Sequence, residues 1–107
     1  MPYIIATSIY PTAKAKAVAE KYFEAFQKYP ADENLSTTVV PAAVKTTKEG
    51  INVFIVGEIK QGKFEEAFKL ASNRLAMFND IEGFESSLDV YMTLEEGLAT
   101  LGMSIPE

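Results

Sequence analysis

The alternation and spacing of hydrophobic residues predict four strands and three helices in the order β-α-β-β-α-β-α. Strands are expected where β-branched and aromatic residues dominate, over Met1–Tyr10, Leu35–Val44, Ile51–Ile59 and Phe84–Met92. Pro41 favours an edge position or a bulge for the second strand, since proline donates no ladder hydrogen bond. The segment Lys45–Gly50 is expected to join the second and third strands as a hairpin.

Helical spacing of apolar residues marks the remaining elements. Thr12 is expected to cap a first amphipathic helix over Ala13–Tyr29, which Pro30 ends. A second helix follows Gln61-Gly62, with Phe64, Phe68, Ala71, Leu75 and Phe78 on one stripe. Thr93-Leu94-Glu95-Glu96 fits a capping box for a short terminal helix with Leu94, Leu98 and Leu101, which ends near Gly102.

This element order predicts an α+β fold in a single domain, residues 1–107. Two right-handed βαβ crossovers most simply give a four-stranded antiparallel sheet with both helices on one face and the short C-terminal helix outside it. That is the ferredoxin-like βαββαβ arrangement, with the spatial strand order 4-1-3-2.

Composition excludes several classes of function. Ten basic and fifteen acidic residues leave a formal net charge of −5, which argues against a general nucleic-acid binder. The chain has no Cys, His or Trp, so Ser-His-Asp and Cys-His catalysis, His-ligated haem, common zinc sites and disulfides are excluded. No bound cofactor or metal is expected, because the acidic turn with Asp80, Glu82 and Glu85 lacks EF-hand spacing.

The first thirteen residues are uncharged but too polar for a signal sequence, and no apolar run approaches the roughly 18 residues that span a bilayer. We therefore expect a cytoplasmic protein without membrane contact.

Strand alternation divides the sheet into two faces. We expect one face to pack on the helices, with Tyr3, Ile5, Thr7, Ile9, Ile51, Val53, Ile55, Gly57, Ile59, Phe84, Ser86, Leu88, Val90 and Met92. The other face is then mixed, with Ile4, Ala6, Ser8, Tyr10, Asn52, Phe54, Val56, Glu58, Glu85, Ser87, Asp89 and Tyr91.

The mixed face predicts a homodimer. A water-exposed face would not normally carry Phe54 and Val56 at its centre, and a monomer core would not carry three carboxylates. A sheet that packs against a copy of itself around a partly polar cavity satisfies both conditions. We expect the first and third strands to run in the same direction and the fourth against them, which would gather Tyr10, Glu58 and Glu85 at one end. Asp89 and Tyr91 would lie further along.

In this pattern of elements, over roughly residues 2 to 101, the chain resembles the dimeric α+β barrel superfamily. The resemblance implies sheet-to-sheet pairing. Members include cofactor-free monooxygenases, muconolactone isomerases, haem enzymes and ligand-sensing modules, so the fold does not choose the function. The absence of His disfavours the haem branch and removes side chains with which several cofactor-free members line their cavities.

The leading hypothesis is a small-molecule-binding homodimer, with a larger assembly as an alternative, whose cavity contains seven candidate residues. Catalytic roles are assigned to Glu58, Asp89 and Tyr10, and ligand-binding roles to Asn52, Phe54, Glu85 and Tyr91. In the rival hypothesis the protein is a cofactor-free isomerase or monooxygenase in which a carboxylate acts as general base. The carboxylates could instead simply be solvated at the mouth of the barrel. In a third hypothesis the protein is an interaction module without a pocket.

Two other features allow more than one interpretation. If Met1 is removed, the secondary amine of Pro2 could act as a base, as in the tautomerase superfamily, with Lys45, Lys48 or Arg74 as the nearby cation. Leu70 and Met77 lie opposite the apolar stripe of the second helix, where either the terminal helix or another subunit would cover them.

Overall fold

A computed structural model of the chain describes residues 1–106. The predicted order of strands and helices is confirmed. The elements are β1 (Tyr3–Tyr10), a 3-10 turn (Thr12–Lys14), α1 (Ala15–Lys28), β2 (Ser36–Thr47), β3 (Gly50–Ile59), α2 (Phe64–Ala76), β4 (Glu85–Tyr91) and α3 (Leu94–Ala99). Thr12 was expected to cap α1, and this is wrong: Thr12 begins the 3-10 turn, and the helix starts without a side-chain cap.

The β2–β3 hairpin is tighter than predicted. Strand β2 continues to Thr47, which pairs with Gly50, so only Lys48 and Glu49 form the turn. The Thr47 hydroxyl closes it by donating to the Gly50 carbonyl oxygen at 2.9 Å and accepting from the Glu49 N–H at 3.2 Å. Glycine is required at position 50, because its φ is +134° and a Cβ would lie 2.5 Å from the Tyr10 carbonyl oxygen.

The four strands form one sheet in the order β2-β3-β1-β4, and every neighbouring pair is antiparallel. The expectation that β1 and β3 run in the same direction is wrong. A crossover through α1 makes β2 parallel to β1, and the hairpin then reverses β3, so β3 runs against β1. Consequently Tyr3 pairs with Glu58 and Tyr10 pairs with Ile51.

Both main helices contribute to the hydrophobic clusters on the same side of the sheet. Val18 and Ala25 of α1 belong to a buried cluster with Tyr10, Ile51 and Phe78, the last just beyond α2. A second buried cluster joins Ala67 of α2 to Ile4, Leu35 and Ile59. Within residues 1–106, the strand residues of both clusters all lie on this side of the sheet.

The assignment of faces is confirmed for β3 and β4 and wrong for β1. Ile4 and Tyr10 belong to the helix-side clusters, so the column Ile4, Ala6, Ser8 and Tyr10 faces the helices. The column Tyr3, Ile5, Thr7 and Ile9 therefore lies on the opposite, open face. Tyr10 decides the orientation, because its ring stacks on Phe84 at 5.9 Å, and Phe84 stacks in turn on Phe78 at 4.8 Å.

Arg74 ties the end of α2 to the end of α1. Its Nε donates to the carbonyl oxygen of Tyr29 at 2.8 Å, and its guanidinium lies 4.0 Å from the centre of the Phe26 ring. Burial lowers the pKa of Arg74, and Nη2 is buried without a hydrogen-bond partner among residues 1–106. The contact joins the C-terminal ends of the two helices.

The prediction for Pro41 is confirmed. Strand β2 lies at an edge of the sheet, and its pairing with β3 shifts register between Thr38 and Val40 and again between Val40 and Ala43. The other edge strand, β4, pairs with β1 over seven consecutive residues without a shift.

The capping box of α3 is confirmed. Thr93 accepts a hydrogen bond from the Glu96 N–H at 3.1 Å, and the Glu96 carboxylate accepts from the Thr93 N–H at 2.8 Å. Leu70 and Met77 pack against the two sheet clusters, so neither the terminal helix nor another subunit is needed to explain them. Leu94 and Leu101 themselves remain exposed.

Candidate functional site

The open face of the sheet is a lattice of four rows, each with one residue from β2, β3, β1 and β4. Residues that are paired directly across strands share a face, so the registers define the rows. They are Thr37–Glu58–Tyr3–Tyr91, Val40–Val56–Ile5–Asp89, Ala43–Phe54–Thr7–Ser87 and Lys45–Asn52–Ile9–Glu85.

Six of the seven predicted site residues lie on this face: Asn52, Phe54, Glu58, Glu85, Asp89 and Tyr91. Tyr10 does not. It is 7% exposed in the helix-side core, on the opposite surface of β1. Its predicted position in an open-face cavity is wrong, because the aromatic stack with Phe84 buries the ring under the helices.

The carboxylates do not gather at one end of the sheet as expected. Glu58 lies in the first row with Tyr3 and Tyr91, whereas Glu85 lies in the fourth row with Asn52. The antiparallel direction of β3 relative to β1 places these two carboxylates at opposite ends of the sheet. Asp89 lies between the ends, in the row of Ile5 and Val56.

A chain of polar contacts runs along β4 and crosses to β1. The hydroxyl oxygens of Thr7 and Ser87 are 2.6 Å apart, and the Ser87 hydroxyl lies 3.2 Å from Asp89 Oδ2, to which it can donate. Neither Thr7 nor Ser87 is among the seven predicted site residues. Had the faces of β1 been assigned correctly, the β1–β4 register alone would have brought the two hydroxyls together.

Two shallow depressions lie on the open face, and both include Thr7 and Asn52. One has a volume of about 290 Å³ and extends to Ile9, Glu85 and Ser87. The other has a volume of about 390 Å³ and extends towards β2, where Ala43, Lys45 and Phe54 line it. Both depressions are open to solvent, and they meet at Thr7 and Asn52.

The open face is also apolar at its centre. Ile5, Val56 and Phe54 occupy neighbouring positions of the two middle strands, and Phe54 is 43% exposed. Tyr91, at one corner, is 56% exposed. Water-exposed aromatic and branched side chains on one flat surface are typical of an interaction site.

The whole chain exposes more surface than a compact monomer of its mass. Its accessible area is 7380 Å², whereas a monomer of 11.8 kDa is expected to expose about 5,900 Å². Its radius of gyration is 15.5 Å, against about 13 Å for a compact domain of this length. Its smallest dimension, 19 Å, corresponds to one sheet covered on one side. The extra area, about 1,500 Å², exceeds the roughly 800 Å² that each partner contributes to a standard interface.

Charge on the open face is predominantly negative. The four rows contain three carboxylates, those of Glu58, Glu85 and Asp89. They contain one basic side chain, that of Lys45. Among residues 1–106 no group of three or more potential ligand residues could hold a metal ion. In the same part of the chain, no helix is long and apolar enough to cross a membrane.

The cations considered as partners of Pro2 lie far from it. Pro2 precedes the first row of the open face, and its carbonyl oxygen accepts from the Ile59 N–H at 2.8 Å. Lys45 is in the fourth row, Lys48 is in the adjoining turn, and Arg74 is bonded to Tyr29 in the helix layer. The arrangement that a tautomerase would need is therefore not assembled within residues 1–106 of a single chain.

Comparison with known proteins adds no assignment. No protein-family model matches the chain, and no curated protein and no solved structure matches it either. What the chain does must therefore be inferred from the chemistry of its open face.

Proposed function

We propose that the chain forms a homodimer by pairing the open faces of two sheets, and that the enclosed space binds a small organic molecule. In this proposal the protomer is ferredoxin-like and the pair is a dimeric α+β barrel. The exposed apolar centre around Phe54 carries the proposal, because a second copy would bury it.

The second copy is favoured over an unrelated partner because the face matches itself. Apolar residues form its middle, where Val56 and Ile5 lie side by side, and polar groups surround them. Opposite charges, Lys45 and Glu85, occupy opposite edges. Two such faces can therefore bury their apolar centres against each other without bringing only like charges together.

The chemistry of the face also restricts the ligand. Thr7, Ser87 and Asn52 supply hydroxyl and amide groups beside the apolar surface of Phe54 and Ile9. Because carboxylates outnumber the single lysine in the rows, an anionic ligand would be repelled. We infer a neutral or cationic molecule with an apolar body and hydrogen-bonding groups at one end.

Native mass spectrometry of the untagged protein tests both parts of the proposal. We expect a dimer that carries additional mass from a co-purified molecule. A dimer without additional mass would remove the ligand and leave only the pairing. A monomer would overturn the pairing and favour an interaction module that binds a different protein.

Phe54→Asp is the variant that tests the geometry. A buried carboxylate in each copy should convert the dimer to a monomer, because desolvation of an unpaired charge is costly. Phe23→Asp is the matched control: Phe23 lies on α1, is 68% exposed and faces away from the open sheet. If Phe54→Asp stays dimeric and folded, or if Phe23→Asp dissociates equally, the proposed face is wrong.

The contact of Ser87 with Asp89 supports a cofactor-free enzyme as the second candidate. In that version the Asp89 carboxylate acts as the general base, and the hydroxyls of Ser87 and Thr7 orient it. Once native mass spectrometry gives the mass of a ligand, incubation of the identified compound with the protein should yield a product. Asp89→Asn should abolish that conversion while binding persists. Binding without conversion in the wild type would leave the binding protein as the function.

A further inference from the structure

Lys45 and Glu85 mark the two edges of one row on the open face. The registers place them in line, through Asn52 of β3 and Ile9 of β1. Three strand spacings separate the two residues, about 14 Å, which is too far for an ion pair within one protomer. The structure gives neither side chain an ion pair within residues 1–106.

Two aligned sheets can pair face to face around a twofold axis in only two ways. If the axis runs along the strands, the β2 edge of one copy lies over the β4 edge of the other, and each row faces the same row. If the axis runs across the strands, each edge lies over its own copy, and the first row faces the fourth. The pairing of edges therefore distinguishes the two arrangements.

The inner strands are compatible with both arrangements. With the axis along the strands, Val56 lies over the partner's Ile5, and Glu58 lies over the partner's Tyr3. With the axis across the strands, Val56 lies over the partner's Phe54 instead. Val56 meets an apolar side chain either way, so its contacts do not select the axis.

The charged ends of the fourth row distinguish the two arrangements. With the axis along the strands, Lys45 lies over the partner's Glu85, and symmetry repeats the ion pair at the other edge. With the axis across the strands, Lys45 lies over the partner's Thr37, and Glu85 lies over the partner's Tyr91. Aligned sheets pack about 10 Å apart, a gap that extended Lys and Glu side chains can bridge together.

We propose that the twofold axis of the dimer runs along the strands, so that the partner's Lys45 pairs with Glu85 and closes the end of the cavity beside Asn52. Each cavity is then composite: one copy supplies Thr7, Asn52 and Ser87, and the other supplies the lysine. The cation neutralises Glu85, which leaves Glu58 and Asp89 as the charges available to a ligand. This inference rests on the proposed face-to-face dimer.

A charge-swap experiment tests the axis. Lys45→Glu and Glu85→Lys should each weaken their own homodimer, raising its dissociation constant about three- to tenfold, because each places two like-charged pairs at the edges. When the two variants are mixed, the heterodimer regains opposite charges at both edges. Native mass spectrometry, with one variant labelled with ¹⁵N, should then show heterodimers above the statistical half of all dimers.

Lys48→Glu is the matched control for net charge. It changes the charge of the chain by the same amount as Lys45→Glu, but Lys48 lies in the turn beyond the rows. Mixed with Glu85→Lys, it should give a heterodimer share near one half. Added salt should reduce the preference seen with Lys45→Glu, since exposed ion pairs are screened.

Failure of this inference is separable from failure of the dimer. If the wild type is a dimer that Phe54→Asp dissociates, yet the mixture of Lys45→Glu with Glu85→Lys stays at the statistical half, the axis along the strands is wrong. An equal preference with Lys48→Glu would also overturn it. A monomeric wild type would instead overturn the face-to-face dimer itself.

Discussion

The two faces of the sheet carry similar apolar residues in different surroundings. On the helix side, Tyr10, Phe84 and Phe78 form a continuous aromatic stack under α1 and α2. On the open side, Phe54 is nearly half exposed, and Thr7 and Ser87 meet through their hydroxyls. The first face is completed by its own helices, whereas the second combines exposed apolar side chains at its centre with charged side chains around them. That difference is the reason for proposing the open face as the binding surface for a second copy.

The largest expected difference between the two faces is in the free energy of unfolding that each loses when a phenylalanine is removed. Phe78→Ala should lower the free energy of unfolding by about 3–5 kcal/mol, because it removes a buried ring that stacks on Phe84. Phe54→Ala should cost less than about 1.5 kcal/mol in dilute solution, since that ring already meets water. Urea denaturation at low protein concentration measures both. Equal losses would contradict the distinction between the faces.

The same pair of variants gives a second readout at high concentration. If Phe54 lies in a dimer interface, the stability lost in Phe54→Ala should grow with protein concentration, because association stabilises only the wild type. The loss in Phe78→Ala should not show this extra dependence.

A smaller difference in stability is expected between substitutions at two valines of β3. Val53 packs against the helix-side cluster with Tyr10, and Val56 lies on the open face beside Ile5. Val53→Thr should cost about 1–2 kcal/mol, because the hydroxyl enters an apolar site of nearly the same volume. Val56→Thr should cost less than about 0.5 kcal/mol in dilute solution. Thermal unfolding of the two variants side by side checks the prediction, and a larger loss for Val56→Thr would reverse the assignment of faces.

The polar contacts among Thr7, Ser87 and Asp89 on the open face should contribute still less to the free energy of unfolding. Ser87→Ala removes contacts with Thr7 and Asp89 that lie in water, so we expect a loss of about 0.5 kcal/mol. A double-mutant cycle with Thr7→Val measures their coupling. Ser86→Ala, on the other face of the same strand, is the control and should change stability by less. Zero coupling would show that the 2.6 Å contact does not stabilise the fold.

Tyr10→Phe should have the smallest effect near neutral pH and a distinct one in alkali. Burial raises the pKa of Tyr10 above its ordinary value of 10.0. The unfolded chain therefore releases this proton before the folded chain does. The resulting stabilisation is fully present below about pH 10 and is lost as pH rises through the folded pKa.

Denaturation at a series of alkaline pH values should therefore show a shallower decline for Tyr10→Phe than for the wild type. Tyr91→Phe, on the open face, is the control and should follow the wild type. Identical curves for all three proteins would contradict the burial of Tyr10.

Sequence patterning predicted the order of elements because Pro30, Gly62 and the Thr93–Glu96 capping box act locally. It also oriented β3, where Asn52 and Glu58 mark one face as polar. Strand β1 offered no such contrast. Ile4 and Ala6 on one side, and Ile5 and Ile9 on the other, are similarly apolar, so alternation alone could not choose the buried column.

The residues of the open face were predicted in part for the same reason. Asn52, Phe54 and Asp89 were placed on the correct face because β3 and β4 were oriented correctly. Tyr10 was misplaced because a tyrosine has both a ring that packs and a hydroxyl that suits a cavity. Its burial depends on contact with Phe84, which is distant in sequence. Glu58 and Glu85 lie at opposite ends of the sheet because β3 runs against β1, a direction that the chain connections determine.

The central position of β1 has a consequence for how the protein folds. The hairpin β2–β3 joins neighbouring segments and can form early, but the contact of Thr7 with Ser87 spans 80 residues. Strand β1, one of the two middle strands, is thus synthesised before both of its neighbours, and β4 is synthesised after the other three strands. Until then one edge of β1 has no partner, so a nascent or truncated chain presents a strand edge that other chains can pair with.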